Sequence, residues 1–173
     1  PVPPPVHDSY CKEGLSLQEM FDKIAEDLGL DGVKLNFCPG SPGCESMNFG
    51  SHAYCYSKGS GNIYCNEKLI SSLSCEWAEN LLIHELIHQV QYENGVASAY
   101  SEYLSEWGAD YLSEGGGGYC FNTDDGNMKI GGFSYPSSCT PDVLTSIAVH
   151  DPSALNSSCK SYLDSYINGY CGY

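Results

Sequence analysis

The chain has 173 residues, with seven basic side chains, all lysine, against 22 acidic ones, a formal charge of -15 and ten cysteines. A negative field of that size repels phosphate backbones and anionic lipid headgroups, which excludes nucleic-acid binding and a membrane-surface role and leaves neutral or basic partners. No apolar run approaches the roughly 18 residues that span a bilayer and no basic, then apolar leader opens the chain, so it reads as soluble, already processed and without an integral membrane segment.

Pro1-Val2-Pro3-Pro4-Pro5 favours an extended proline-rich arm over residues 1–10, and residues 11–173 read as a single domain. Ser16-Leu17-Gln18-Glu19 forms a capping box ahead of Met20, Phe21, Ile24, Ala25 and Leu28 at helical spacing, with Gly29 as the stop. Val33, Leu35 and Phe37 alternate with polar residues as in a half-buried strand, broken by Pro39-Gly40-Ser41-Pro42-Gly43. Two short strands follow around Tyr54 to Tyr56 and Asn62 to Cys65, separated by Gly59-Ser60-Gly61.

From about Ser74 to Gln91 the residues Trp77, Leu81, Leu82, Ile83, Leu86, Ile87 and Val90 predict a buried helix with a broad apolar stripe, ended by Asn94-Gly95. A third helix is expected from about Ser98 to Leu112, with Tyr100, Tyr103, Leu104, Trp107 and Tyr111 on an aromatic face, and Gly115 to Gly118 as a flexible loop. Asp124-Asp125-Gly126-Asn127 reads as a tight turn, Thr140-Pro141 as the start of a fourth helix, and Ser153 to Ile167 as a fifth. The whole is an α+β chain, rich in helix with a small sheet.

The cysteines, at 11, 38, 44, 55, 65, 75, 120, 139, 159 and 171, are even in number, widely spread and free of Cys-x-x-Cys clusters. That pattern predicts five disulfides and an oxidising compartment, and the sequon Asn156-Ser157-Ser158 is compatible with secretion.

Within the buried helix lies His84-Glu85-Leu86-Ile87-His88. Residues four apart share a helix face, so both imidazoles reach one metal ion while Glu85 addresses a water beside it. The chemistry is that of a hydrolase with one catalytic zinc, Zn2+, and Glu85 as general base. A catalytic zinc takes three protein ligands and keeps an open position, so a third ligand is needed. Glu102, Glu106 and Asp110 stand four apart on the third helix, and their spacing leaves them equivalent. His150 and the 14 tyrosines are candidates for stabilising the oxyanion, whereas His7 and His52 read as ordinary surface or core histidines.

His84-Glu85-Leu86-Ile87-His88 followed by Ser105-Glu106-Trp107-Gly108-Ala109-Asp110-Tyr111-Leu112-Ser113 resembles the zinc metallopeptidases of the mitochondrial intermembrane space that process an ATP synthase subunit. The similarity extends to Asn62-Ile63-Tyr64-Cys65-Asn66 upstream and Leu144-Thr145-Ser146-Ile147-Ala148-Val149 downstream. The resemblance implies a zincin-like domain and a gluzincin arrangement, in which Glu106 is the third ligand and Asp110 accepts a hydrogen bond from the far nitrogen of a ligand histidine. It also implies an edge strand beside the cleft that binds extended peptide, here assigned to Asn62, Ile63 and Tyr64. Gln91 and Gly108 depart from the family's Asp and Arg, and substrate and compartment are not carried over. The expectation is therefore a zinc endopeptidase acting on neutral or basic peptides, secreted or, as the alternative, in the mitochondrial intermembrane space. The rival class is a catalytically idle subunit or scaffold of a larger assembly.

Overall fold

The computed structural model describes residues 9–49 and 54–96, together with Ala109, Ser113, Tyr119–Asn122, Gly126–Lys129, Ser157 and Cys159. The chain forms two compact units, Pro5–Val90 and Gln91–Tyr173 with Pro1–Pro4. The architecture is α+β.

In the first unit Ser9 and Tyr10, the last residues of the expected arm, belong to a helical turn. Ser9 caps a short 3-10 helix, Tyr10–Glu13, and Tyr10 is buried. The Tyr10 hydroxyl donates a short hydrogen bond to Asp27, and Ser9 Oγ donates to Glu79 Oε2 at 3.1 Å. Burial, followed by the hydrogen bond to Asp27 and the negative charges of Asp27, Glu79 and Glu13, raises the Tyr10 pKa well above the ordinary tyrosine range.

Helix α1 (Leu17–Asp27) follows its sequence signals at both ends. Ser16 Oγ accepts from Glu19 N and Glu19 Oε1 accepts from Ser16 N, which closes the capping box. At the other end Gly29 N–H donates to Glu26 O and Leu30 N–H to Ala25 O, the pair of bonds that requires a left-handed residue, and Gly29 supplies it at φ 72°. Met20, Phe21, Ile24 and Ala25 face the core, each large side chain contributing about 1.5–3 kcal/mol of burial.

Strands β1 (Lys34–Cys38), β2 (Cys55–Ser57) and β3 (Asn62–Asn66) form a sheet in the order β1-β3-β2, with β1 parallel and β2 antiparallel to β3. Leu35, Ile63 and Cys65 are buried, while Tyr64 and Asn36 share the opposite face. Tyr64 fits there because Gly43 has no side chain: a Cβ at residue 43 would meet its hydroxyl at 2.5 Å. Asn66 ends β3 and caps the short helix α2 (Glu67–Ser71) with its side chain, accepting from Leu69 N at 3.1 Å. Neither this helix nor the 3-10 turn at Tyr10 was expected from sequence periodicity.

The expectation that Asn62, Ile63 and Tyr64 form an edge strand is corrected by this topology. β3 is the central strand, paired from Asn62 to Asn66 on one side and from Ile63 to Cys65 on the other. Its backbone donors and acceptors are committed to the ladder, so it has no edge to offer a peptide.

Helix α3 (Cys75–Glu93) starts at Ser74, whose Oγ accepts from Trp77 N at 3.3 Å, and it ends before Gly95, at φ 74°. Leu82, Ile83, Leu86, Ile87 and Val90 are buried as the stripe requires, with Ala78 beside them, but Leu81 is half-buried and Trp77 is 63 % exposed. Trp77 is thereby removed from the expected core.

Three disulfides are described: Cys11–Cys75, Cys38–Cys44 and Cys55–Cys65. The last joins directly opposed residues of β2 and β3 with Cα atoms 4.0 Å apart. Such close approach belongs to the non-hydrogen-bonded pairs of an antiparallel ladder. Cys159 is also disulfide-bonded, and no free thiol occurs among the described cysteines. These bonds fit an oxidising compartment.

In the second unit, strands β4 (Tyr119–Asn122) and β5 (Gly126–Lys129) pair antiparallel. Gly126 and Asn127, expected in a tight turn, belong to β5. Ala109 is helical within the expected third helix and Ser113 is helical one residue past its expected end at Leu112, while Ser157 and Cys159 are helical within the fifth. The remainder of both helices, the polyglycine and the fourth helix lie outside the described residues.

Candidate metal centre

His84 and His88 occupy successive turns of α3 and are half-buried, with Glu85 between them 7 % exposed. The helix here needs no special backbone device. Its core stripe holds one side against the first unit, and the histidines follow at positions turned away from Leu82 and Leu86.

The two rings stand nearly perpendicular, at 85°, with centroids 4.7 Å apart and their Nε2 atoms converging to 3.0 Å. With metal–nitrogen distances of about 2.05 Å, that separation corresponds to an angle of about 94° at a shared ion. This falls below the tetrahedral value, and small ring rotations open it. The donor pair therefore fits a zinc ion. The same spacing is also that of a hydrogen bond between the two ring nitrogens, with donor and acceptor set by the tautomers.

A second tie positions this helix turn. Gln89, the residue after His88, is buried, and its Oε1 accepts from the backbone N–H of Gly61 at 3.2 Å. Gly61 ends the connection between β2 and β3, so the sheet and the second histidine are linked through one side chain. Sequence patterning did not single out Gln89. The only signal was a glutamine inside an apolar run.

Among the described residues β1 and β2, not β3, are the outer strands of this sheet. Asn66 N–H donates to Tyr54 O at 2.8 Å and Lys58 N–H to Asn62 O at 3.3 Å. Pairs alternate in an antiparallel ladder, so Tyr56 is turned toward β3 while the backbone groups of Cys55 and Ser57 point outward.

Among the described residues no group of three or more His, Cys, Asp and Glu side chains is placed to hold a metal ion. Glu102, Glu106, Asp110 and His150, together with His7 and His52, lie outside the described residues. The structure thus brings together His84, Glu85 and His88 on one helix. Compared with known proteins, the chain matches no family model, no curated protein and no solved structure.

Proposed function

We propose that the protein is a zinc-dependent endopeptidase of zincin type. The observation that carries this reading is the convergence of His84 Nε2 and His88 Nε2 to 3.0 Å on one helix that also carries Glu85. His84 and His88 would hold zinc with Glu106 as third ligand, and Asp110 would orient one of the imidazoles. The sequence from Ser105 to Ser113 supports that choice by its resemblance to the peptidase family.

When bound, zinc acidifies an adjacent water and polarises the scissile carbonyl. Glu85 accepts the proton of that water as the oxygen attacks the carbonyl carbon. It then returns the proton to the leaving amine nitrogen as the C–N bond breaks. Burial of Glu85 limits its hydration and keeps its carboxylate in one place for both transfers. The outer edge of β2 would bind the substrate in extended form, with its backbone paired to Cys55 and Ser57.

The test is metal analysis of the isolated protein combined with cleavage of an unstructured polypeptide. One zinc per chain, cleavage abolished by a chelator and restored by zinc are expected. Metal-loaded protein without hydrolytic activity would turn the assignment to the idle scaffold.

A further inference from the structure

On α3, Trp77, Leu81, His84 and His88 follow one another at spacings of four, three and four residues, which places them along one face of the helix. Trp77 is 63 % exposed, and Tyr92, four residues beyond His88 on the same helix, is 54 % exposed. These are two of the three large exposed hydrophobic side chains among the described residues. Single exposed aromatics are common and by themselves mean little. Here both fall in line with the two histidines, while the opposite side of the helix is filled by Ala78, Leu82, Leu86 and Gln89.

We propose that Trp77 forms a specificity subsite for an apolar, preferably aromatic, substrate side chain, a proposal that rests on the peptidase reading of His84, Glu85 and His88. The seven residues from Trp77 to His84 span about 10 Å along the helix axis. For an extended peptide laid along this helix face, which advances about 3.3 Å per residue, the side chain that meets Trp77 belongs to a residue about three positions from the scissile bond. The indole presents a flat apolar surface to that residue and excludes water from it.

The experiment compares two peptides that differ only in Phe or Gly at the third position, tested on each side of the cleaved bond. For the wild-type, zinc-loaded protein the Phe peptide is preferred about tenfold in kcat/KM on one of the two sides, the discrimination expected of one apolar pocket. Trp77→Ala should bring that preference close to unity through KM, with zinc stoichiometry kept, and Trp77→Phe should recover part of it. The chain has two tryptophans, so Trp107→Phe combined with Glu85→Gln isolates the Trp77 fluorescence in a protein that binds without cutting. A blue shift with the Phe peptide and none with the Gly peptide is expected. A Phe preference that survives in Trp77→Ala, or an unmoved Trp77 emission, overturns the subsite alone. Failure of the wild-type protein to cut either peptide overturns the peptidase reading, and the subsite with it.

Discussion

At Glu85 a carboxylate is 7 % exposed on the turn between two converging imidazoles, and the proposed peptidase reading gives it a proton to move rather than an ion to hold. Glu85→Gln keeps the shape and removes the basic oxygen. It should retain zinc at wild-type stoichiometry while turnover falls by roughly 10²- to 10⁴-fold. Loss of the metal along with activity would instead make Glu85 a ligand. Tyr10 plays a different part, since its phenol is buried and donates to the Asp27 carboxylate. Its pKa is raised in the folded protein by burial first and by Asp27 second. The folded state thus holds the phenolic proton more tightly than the unfolded chain does. The resulting stability is fully present below the ordinary tyrosine value of about 10 and fades as pH rises above it. Tyr10→Phe should cost about 1.5–3 kcal/mol at neutral pH, the range for a hydrogen bond to a charged partner. The urea midpoint of the variant should also fall less between pH 9 and 11, values on the order of the tyrosine range. An equal alkaline decline in both proteins would remove Tyr10 from that role.

At the scale of elements, the edge of β2 makes a specific claim about substrate. The backbone N–H of Ser57 points away from β3, and its buried hydroxyl has no hydrogen-bond partner. Ser57→Pro therefore removes an outward donor without breaking a ladder bond or a side-chain hydrogen bond. Cleavage of extended peptides should fall about fivefold or more through KM, the scale of one lost hydrogen bond, while a blocked dipeptide too short to pair with the strand is cut as before. A parallel loss for both substrates would mean that the strand does not bind peptide. The same sheet shows where periodicity runs out. Alternation at Val33, Leu35 and Phe37 located β1, and the Gly59-Ser60-Gly61 break located β2 and β3, each to within about a residue. Strand order depends on contacts remote in sequence, which periodicity does not report, and the edge position that the family resemblance implied for Asn62 to Tyr64 is not the one Ile63 takes at the centre of the sheet. Trp77 failed for a related reason. It is apolar and helical, but it stands on the histidine face of α3, and hydrophobicity alone cannot tell a core position from a bare one. The His84-Glu85-His88 grouping was legible because it lies within one helix, where spacing is geometry. Gln89 was not, since its partner Gly61 comes from another element.

Over the whole molecule, covalent ties and charge act together. The described disulfides join the N-terminal turn to the start of α3 through Cys11–Cys75 and lock β2 to β3 through Cys55–Cys65. They hold together a chain whose 22 acidic and seven basic side chains repel one another on balance. Seven basic side chains cannot offset 22 acidic ones, whatever pairs they form. Lys23–Glu13, at 2.7 Å, is exposed and screened by solvent, so it does little to offset the charge. The uncompensated field extends into solvent, where it is screened over about 8 Å at physiological ionic strength. A peptide approaching the α3 face is therefore attracted if it is basic and repelled if it is acidic, and the effect falls on the association step. Peptides flanked by lysine or arginine should be cut faster than acidic ones of equal length, with the difference in kcat/KM. Raising the salt from about 0.01 M to about 1 M shortens the screening length from about 30 Å to about 3 Å and should remove most of the advantage. The decisive measurement is kcat/KM for the two peptides across that range. Equal rates at low salt would show that a charge of -15 has no part in choosing the substrate.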